Sequence, residues 1–266
     1  MSLLKNNVSI AELSEIETIE RYKFTVAYDG TQYLGFQIQG NTKTVQKEIE
    51  SALRTLDWNE KNIAAAGRTD SGVHAEGQVF SAALNWKHSP EKLRDALNAR
   101  LPKDISVLEI EKKPLDFNAR YNAVSRTYHY HIYQEPARNP LRDRYAWCFW
   151  PKLKIEILSK AAAQLIGKHD FRSFGSPPRK LGTTIRTVSE SRWLWKSEDE
   201  IIFEITANAF LYHMVRRIVF LQTFLSQGVI SMGDWENAVM HGSGAKPGMA
   251  PPNGLRLFAV NYQEQQ

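Results

Sequence analysis

Ala66-Gly67-Arg68-Thr69-Asp70-Ser71-Gly72-Val73-His74-Ala75-Glu76-Gly77-Gln78-Val79 lies between two apolar segments and holds charged groups, a histidine and three glycines in a short span. Glycines at such intervals let a backbone turn tightly and approach a ligand. Arg68 and Asp70 are two apart, so in an extended loop their side chains point the same way. An arginine beside a carboxylate favours its charged form, and the loop then presents a charged Asp70 at the mouth of a site. The plainer reading is a surface turn with an exposed ion pair, which contributes little. Spacing alone favours that plainer reading, because Gly/Asp/Ser loops are common.

Upstream, Tyr22 to Tyr28 alternates and stops at Asp29-Gly30, a strand ending in a turn. Val45, Ile49, Ala52, Leu53 and Leu56 fall on one helical face behind Thr44 as N-cap. Downstream, the loop runs into a strand around Gln78 to Leu84. Ser89-Pro90-Glu91 starts a helix that carries Leu93, Ala96, Leu97 and Leu101 and stops at Pro102. Ile105 to Glu111 reads as a strand, and so does the β-branched and aromatic run Ala123 to Tyr133. The basic, proline-bearing stretch Pro136 to Arg144 marks a boundary between two halves. Beyond it come a helix from Ile155 to Ile166 closed by Gly167, and strands at Thr184 to Trp195 and Glu200 to Thr206. A long helix capped by Asn208 ends at Gly228, a short one surrounds Trp235, and a Pro-Pro-Asn-Gly turn leads into a last strand, Leu257 to Tyr262. The pattern is α+β: a mixed, largely antiparallel sheet backed by helices.

At 266 residues, 42% of them hydrophobic, the chain can bury a sizeable core as two modest lobes or one large domain. The formal charge is +5. Lys5 stands against Glu12, Glu15, Glu17 and Glu20, so residues 1–20 read as a frayed, acidic extension and the body is more basic than the whole. A basic body suits a polyanionic partner without saying which. The one cysteine, Cys148, excludes a disulfide framework and a thiolate zinc site within one chain and fits the cytoplasm. No apolar run approaches a membrane span, and no signal-peptide pattern opens the chain, so no membrane partner is expected.

Gly-Arg-Thr-Asp-Ser-Gly-Val-His-Ala followed by Gly-Gln-Val closely resembles the signature of the tRNA pseudouridine synthase A family, and further segments between Tyr22 and Tyr262 agree in order. The resemblance implies two similar α/β lobes with a basic cleft between them: a catalytic lobe at 21–135 carrying Asp70, and a lobe at 136–266 completing the cleft and the RNA and dimer surfaces. It implies an isomerase that converts uridine to pseudouridine in the anticodon stem-loop of tRNA, at positions 38, 39 and 40, as a homodimer in which one tRNA touches both subunits. Two departures are mild: Ser71 stands where the family has alanine, and Phe36 where tryptophan is common.

The chemistry of the residues agrees. Hydrolysis of a glycosidic bond needs two carboxylates in distinct roles. The loop offers Asp70 and Glu76, and nothing brings another acid to Asp70. A single functional carboxylate fits a reaction that breaks and remakes one bond without water, metal or redox cofactor, so no cofactor is expected. The resemblance assigns Asp70 as nucleophile and Tyr128, in Arg126-Thr127-Tyr128-His129-Tyr130, as the contact to the target base. An extruded base needs an aromatic face, and a phenol also exchanges a proton. Without the resemblance, Tyr128 and Tyr130 would both read as half-buried strand tyrosines; with it, Tyr130 stays core. Arg68 either neutralises Asp70 or takes the place of the flipped nucleotide, and a planar cation suits both tasks.

For RNA contact the resemblance points to Phe117-Asn118-Ala119-Arg120-Tyr121, to Asp170-Phe171-Arg172-Ser173-Phe174, and to Arg179 and Lys180. Basic residues meet phosphates and aromatics stack on bases. The plainer reading makes Phe117, Phe171 and Phe174 core anchors. Asn208 to Arg217 also resembles the family, with Arg216 or Arg217 lining the cleft, against a plain amphipathic helix with solvated arginines. Leu255 would pack against the site. Two rival functions are a non-catalytic tRNA-binding protein and a metal-dependent hydrolase using His129, His131 and His169. No metal is expected, because the helical His-Glu and cysteine patterns of metal sites are missing from the sequence.

Overall fold

The computed structural model describes residues 19–177 and 181–263. Most of the acidic extension, together with Arg179 and Lys180, lies outside the described residues. In chain order the elements are β1 (Glu20–Tyr28), α1 (Val45–Arg54), β2 (Ala64–Ala65), β3 (His74–Leu84), α2 (Pro90–Asn98) and β4 (Ile105–Lys113). They continue with β5 (Ala123–Tyr133), β6 (Trp147–Cys148), α3 (Ile155–Ala163), β7 (Gly167–Asp170), β8 (Ile185–Trp195) and β9 (Glu200–Ala207). Last come α4 (Met214–Ser226), α5 (Met232–Met240) and β10 (Leu255–Tyr262).

The strands form one α+β sheet in the order β4-β1-β3-β10-β5-β9-β8-β7, with β2 beside β3 and β6 beside β5. Its ladders are antiparallel except β3 with β10, which pair parallel through Arg256–His74 and Leu257–Ala75, and the short β5–β6 pair. The sheet therefore runs without a break past the stretch 136–144. Strand alternation makes one inner face. Tyr22, Phe24, Val26 and Tyr28 of β1, Tyr128, Tyr130 and Ile132 of β5, and Ile201, Phe203 and Ile205 of β9 all point into one core. The helices close it: Val45, Ile49 and Leu53 from α1, Leu93 and Leu97 from α2, Leu158 from α3, Ile218 from α4 and Trp235 from α5. Ser89 and Pro90 start α2 as expected, and Asn98 at its end bonds both the N–H and the C=O of Val107 on β4 (2.8 and 2.9 Å).

Several boundaries differ from the sequence reading: β3 starts at His74 and β10 at Leu255, both earlier than expected, and three further differences have local causes. Glu20 belongs to β1, where its carboxylate takes Lys112 at 2.8 Å, rather than to the extension. α3 ends at Ala163, and Gly167, at φ +111°, opens β7 instead of closing the helix. α4 starts at Met214, not after Asn208. The Asn208 side chain serves other donors, the N–H groups of Thr187 (3.0 Å) and Ala209 (2.9 Å). The residue before α4, His213, has φ +66°, a left-handed conformation that interrupts any helix reaching it from upstream.

Candidate active site

The loop from Ala66 to Val73 links β2 to β3 and is fastened on both sides of Asp70. Ala66 donates its N–H to Val79 O (2.8 Å), and Gln78 Nε2 donates to Gly67 O (3.1 Å). Thr69 Oγ1 lies 2.8 Å from Tyr28 Oη, and Thr69 O accepts the N–H of Phe36 (3.0 Å). Beyond Asp70, Ser71 Oγ donates to Tyr33 O (3.2 Å), and Gly72 turns the chain at φ +75°. The Asp70 side chain is thus held at a fixed place, 18% exposed.

Its charge partner comes from the far half of the chain. Arg216 Nη1 lies 3.3 Å from Asp70 Oδ2, and His213 Nε2 lies 3.6 Å from the same oxygen. Arg216 is itself buried and oriented: Nε donates to Ala250 O (2.8 Å), while its own carbonyl accepts the N–H of Ala250 (3.1 Å). Burial, with Arg216 and Arg217 nearby, holds the His213 imidazole below its ordinary pKa even though Asp70 pulls the other way.

Asp70 opens into a cleft of about 1090 Å³ whose lining includes Arg68, Asn118, Arg120, Tyr121, Tyr128 and Leu255. Asp70 is the only carboxylate among the described residues that line it, against Arg68, Arg120, Arg126 and Arg216. Glu76, the other acid of the loop, pairs instead with Arg256 at 2.5 Å. Tyr128 projects from β5 and packs nearly perpendicular to the Phe210 ring, centroids 4.9 Å apart. A Cβ on Gly67 would stand 3.9 Å from the Tyr128 phenol oxygen, so the loop backbone runs along the hydroxyl. Burial, and then the charge of Asp70, push the phenol pKa well up, which keeps the hydroxyl protonated.

The family model described as tRNA pseudouridine synthase matches residues 25–122 and 161–263. The tRNA pseudouridine synthase A of an Exiguobacterium species is 39% identical over 92% of this chain and 99% of its own length. Those of Listeria innocua and of a Thermoanaerobacter species are 36% and 40% identical over 91% and 89% of this chain, and over 99% and 97% of theirs. The chain belongs to the tRNA pseudouridine synthase family. The two matched stretches carry the two sides of the ion pair, Asp70 in the first and Arg216 in the second, while Tyr128 stands between them on β5.

In this tRNA pseudouridine synthase chain Arg68 lies exposed on the cleft wall, where partial desolvation and the charge of Arg120 lower its pKa. It does not bond Asp70; Arg216 fills that place. In the segment 117–121, Asn118, Arg120 and Tyr121 line the cleft. Asn118 Oδ1 accepts the N–H groups of Arg120 (3.0 Å) and Tyr121 (3.3 Å), which shapes the turn that presents them. Phe117 packs on Tyr262 and Ala119 is buried with Ala66 and Val79, so these two anchor the segment. The segment 170–174 lies outside the cleft lining. Asp170 caps a turn and binds Arg172 and Thr184, Phe171 and Phe174 are core, and Ser173 is half-buried. Tyr130 is fully buried and its hydroxyl donates to Pro251 O (2.7 Å). His129 and His131 bond Glu204 (3.0 Å) and Glu200 (2.9 Å) across the β5–β9 ladder.

Arg126, Phe210, Tyr212 and His213 also line the cleft and were given no role of their own in the sequence. Arg126 had a visible signal, since strand parity puts it on the face of Tyr128. The other three sit in a segment that reads as continuous helix, and the irregular loop there follows from tertiary contacts, including an isolated bridge between Ser176 and Tyr212.

Proposed function

We propose that this chain isomerises uridine to pseudouridine in the anticodon stem-loop of tRNA, at positions 38 to 40, with the carboxylate of Asp70 as nucleophile. One observation carries the reading: among the described residues, a single carboxylate in a large cationic cleft, held by an arginine and faced by a protonated phenol. Glycoside hydrolysis sets two carboxyl groups around the bond it breaks. Here one acid suffices, because water takes no part. The C1′–N1 bond of uridine breaks, the uracil turns, and a C1′–C5 bond forms. The proton lost from C5 is balanced by one gained at N1. Asp70 acts on the ribose or the uracil while the base is detached, and Arg216 fixes its orientation. Tyr128 offers its ring and a neutral donor to the base, and Arg68 on the cleft wall fills the gap left by the flipped nucleotide. Arg120 and Tyr121 meet phosphate and base of the incoming strand.

We take residues 21–135 as the catalytic lobe and 136–266 as the lobe that completes the cleft, since the first supplies Asp70 and the second Arg216. The reading also includes a homodimer and a cytoplasmic location. Among the described residues no helix is long and apolar enough to cross a membrane.

The test uses unmodified tRNA labelled with tritium at C5 of uridine. The wild-type chain is expected to release the label, and chemical mapping to place pseudouridine at positions 38 to 40. Asp70→Ala and Asp70→Asn are expected to release none while still retarding tRNA in a filter assay. Full turnover by either variant removes Asp70 as nucleophile. Binding without release by the wild type makes the chain a tRNA-binding protein.

A further inference from the structure

Arg126 is a half-buried cation whose hydrogen bonds all go to main-chain carbonyls. Nε and Nη2 donate to Ala66 O (3.2 and 2.9 Å), and Nη2 also donates to Arg120 O (3.0 Å). Nη1 donates to Ala123 O (3.2 Å) and to Asn208 O (3.0 Å). Ala66 opens the loop that bears Asp70. Arg120 belongs to the turn that shows its own side chain and Tyr121 to the cleft. Asn208 opens the segment leading to His213 and Arg216. The three segments that surround the reacting acid are thus tied through one planar group.

The chemistry requires arginine there. A guanidinium spreads five donors in a fixed fork, whereas an ammonium is a point charge with three. The carbonyls are far apart in sequence, and Arg126 is the side chain that bonds all of them. Without it a buried carbonyl loses its partner and each segment is free to shift. Burial lowers the guanidinium pKa, consistent with a site short of counter-charge, and the cation adds to the positive potential under the cleft.

We propose that Arg126 is a positioning residue that couples the RNA-contacting turn at 118–122 to the Asp70 loop, so that tRNA seated on Arg120 and Tyr121 is set in register with the carboxylate. The proposal rests on the isomerase reading above. Binding contacts stay on Arg120 and Tyr121, and Arg126 acts on the step after binding.

The experiment measures tritium release and KM for tRNA with Arg126→Lys, which keeps the charge and loses the fork. The expected result is a fall in kcat of about 100-fold, as for a displacement near 1 Å, with KM for tRNA within about threefold of wild type. Arg126→Ala, assayed with added guanidinium ion, is expected to recover kcat saturably, with circular dichroism reporting the fold in both cases. Wild-type kcat in Arg126→Lys overturns the proposal. So does a raised KM with kcat unchanged, which makes Arg126 a binding charge, and so does a folded Arg126→Ala that guanidinium leaves inactive. An inactive wild type removes the isomerase reading and this proposal with it; an active wild type beside an equally active Arg126→Lys removes this proposal alone.

Discussion

Four histidines, His74, His129, His131 and His213, are held below the ordinary imidazole pKa, chiefly by burial. Asp29, Glu204, Glu200 and Asp70 beside them pull upward and do not overcome it. In the unfolded chain these rings protonate near 6.5, before they do so in the folded state. Over that window the unfolded state binds more protons, so stability rises with pH. Their contribution is complete above about 6.5 and is lost as pH falls toward the lower folded values. Calorimetry is expected to show Tm falling between about pH 7.5 and pH 5.5, and His131→Gln to reduce that fall. A Tm that stays level across the range contradicts the buried, neutral state. At this scale Asp70 and Tyr128 were marked by the resemblance of the strings that hold them, since by spacing and alternation alone the one reads as a surface turn and the other as a strand tyrosine; both line one cleft. The partner of Asp70 was not legible. Arg68 is its neighbour in sequence, but Arg216, brought in by the sheet, is its neighbour in space. Sequence left Arg216 and Arg217 equivalent, because the left-handed His213 resets the helix register.

The Asp70 loop is an element that neighbours hold from outside. Gly35 has φ +88°, and a Cβ there would stand 2.8 Å from Thr69 O and 3.3 Å from the carbonyl carbon of Asp70. Gly35→Ala therefore strains its own backbone, at about 1–3 kcal/mol, and presses on the Thr69–Asp70 backbone. The expected outcome is a Tm lowered by several degrees and a rate of pseudouridine formation lowered at least about tenfold, because small displacements of a reacting group cost rate steeply. Wild-type values of both would mean that the loop is not wedged there. Elements with a strong period or a strong stop were legible, such as β5 with its alternation and α2 with Ser89-Pro90. The ends of α3 and the start of α4 were not, since a glycine and an asparagine serve helix ends and strand ends alike, and only the packed partners decide.

Across the whole molecule the sheet decides what can be removed. β10 lies between β3 and β5, so it joins the Asp70 side to the Tyr128 side. Its Leu255 and Leu257 are both core. Ending the chain after Gly254 is expected to abolish soluble, cooperatively folding protein, measured by circular dichroism and thermal melting. A truncated chain that still melts cooperatively would mean that the halves stand alone. The boundary drawn in sequence at 136–144 marks a change of composition, but strand pairing ignores it: β5, before it, pairs with β9 and β10, after it.

The central place of β10 also sets a timetable. A ribosome makes both flanks of the sheet before it makes the strand that lies between them. Until then β3 and β5 each keep one open edge in the nascent chain, ready to pair with whatever extended peptide they meet. The sheet closes only once that strand has been made, and a chaperone that shields those edges in the interval would raise the yield.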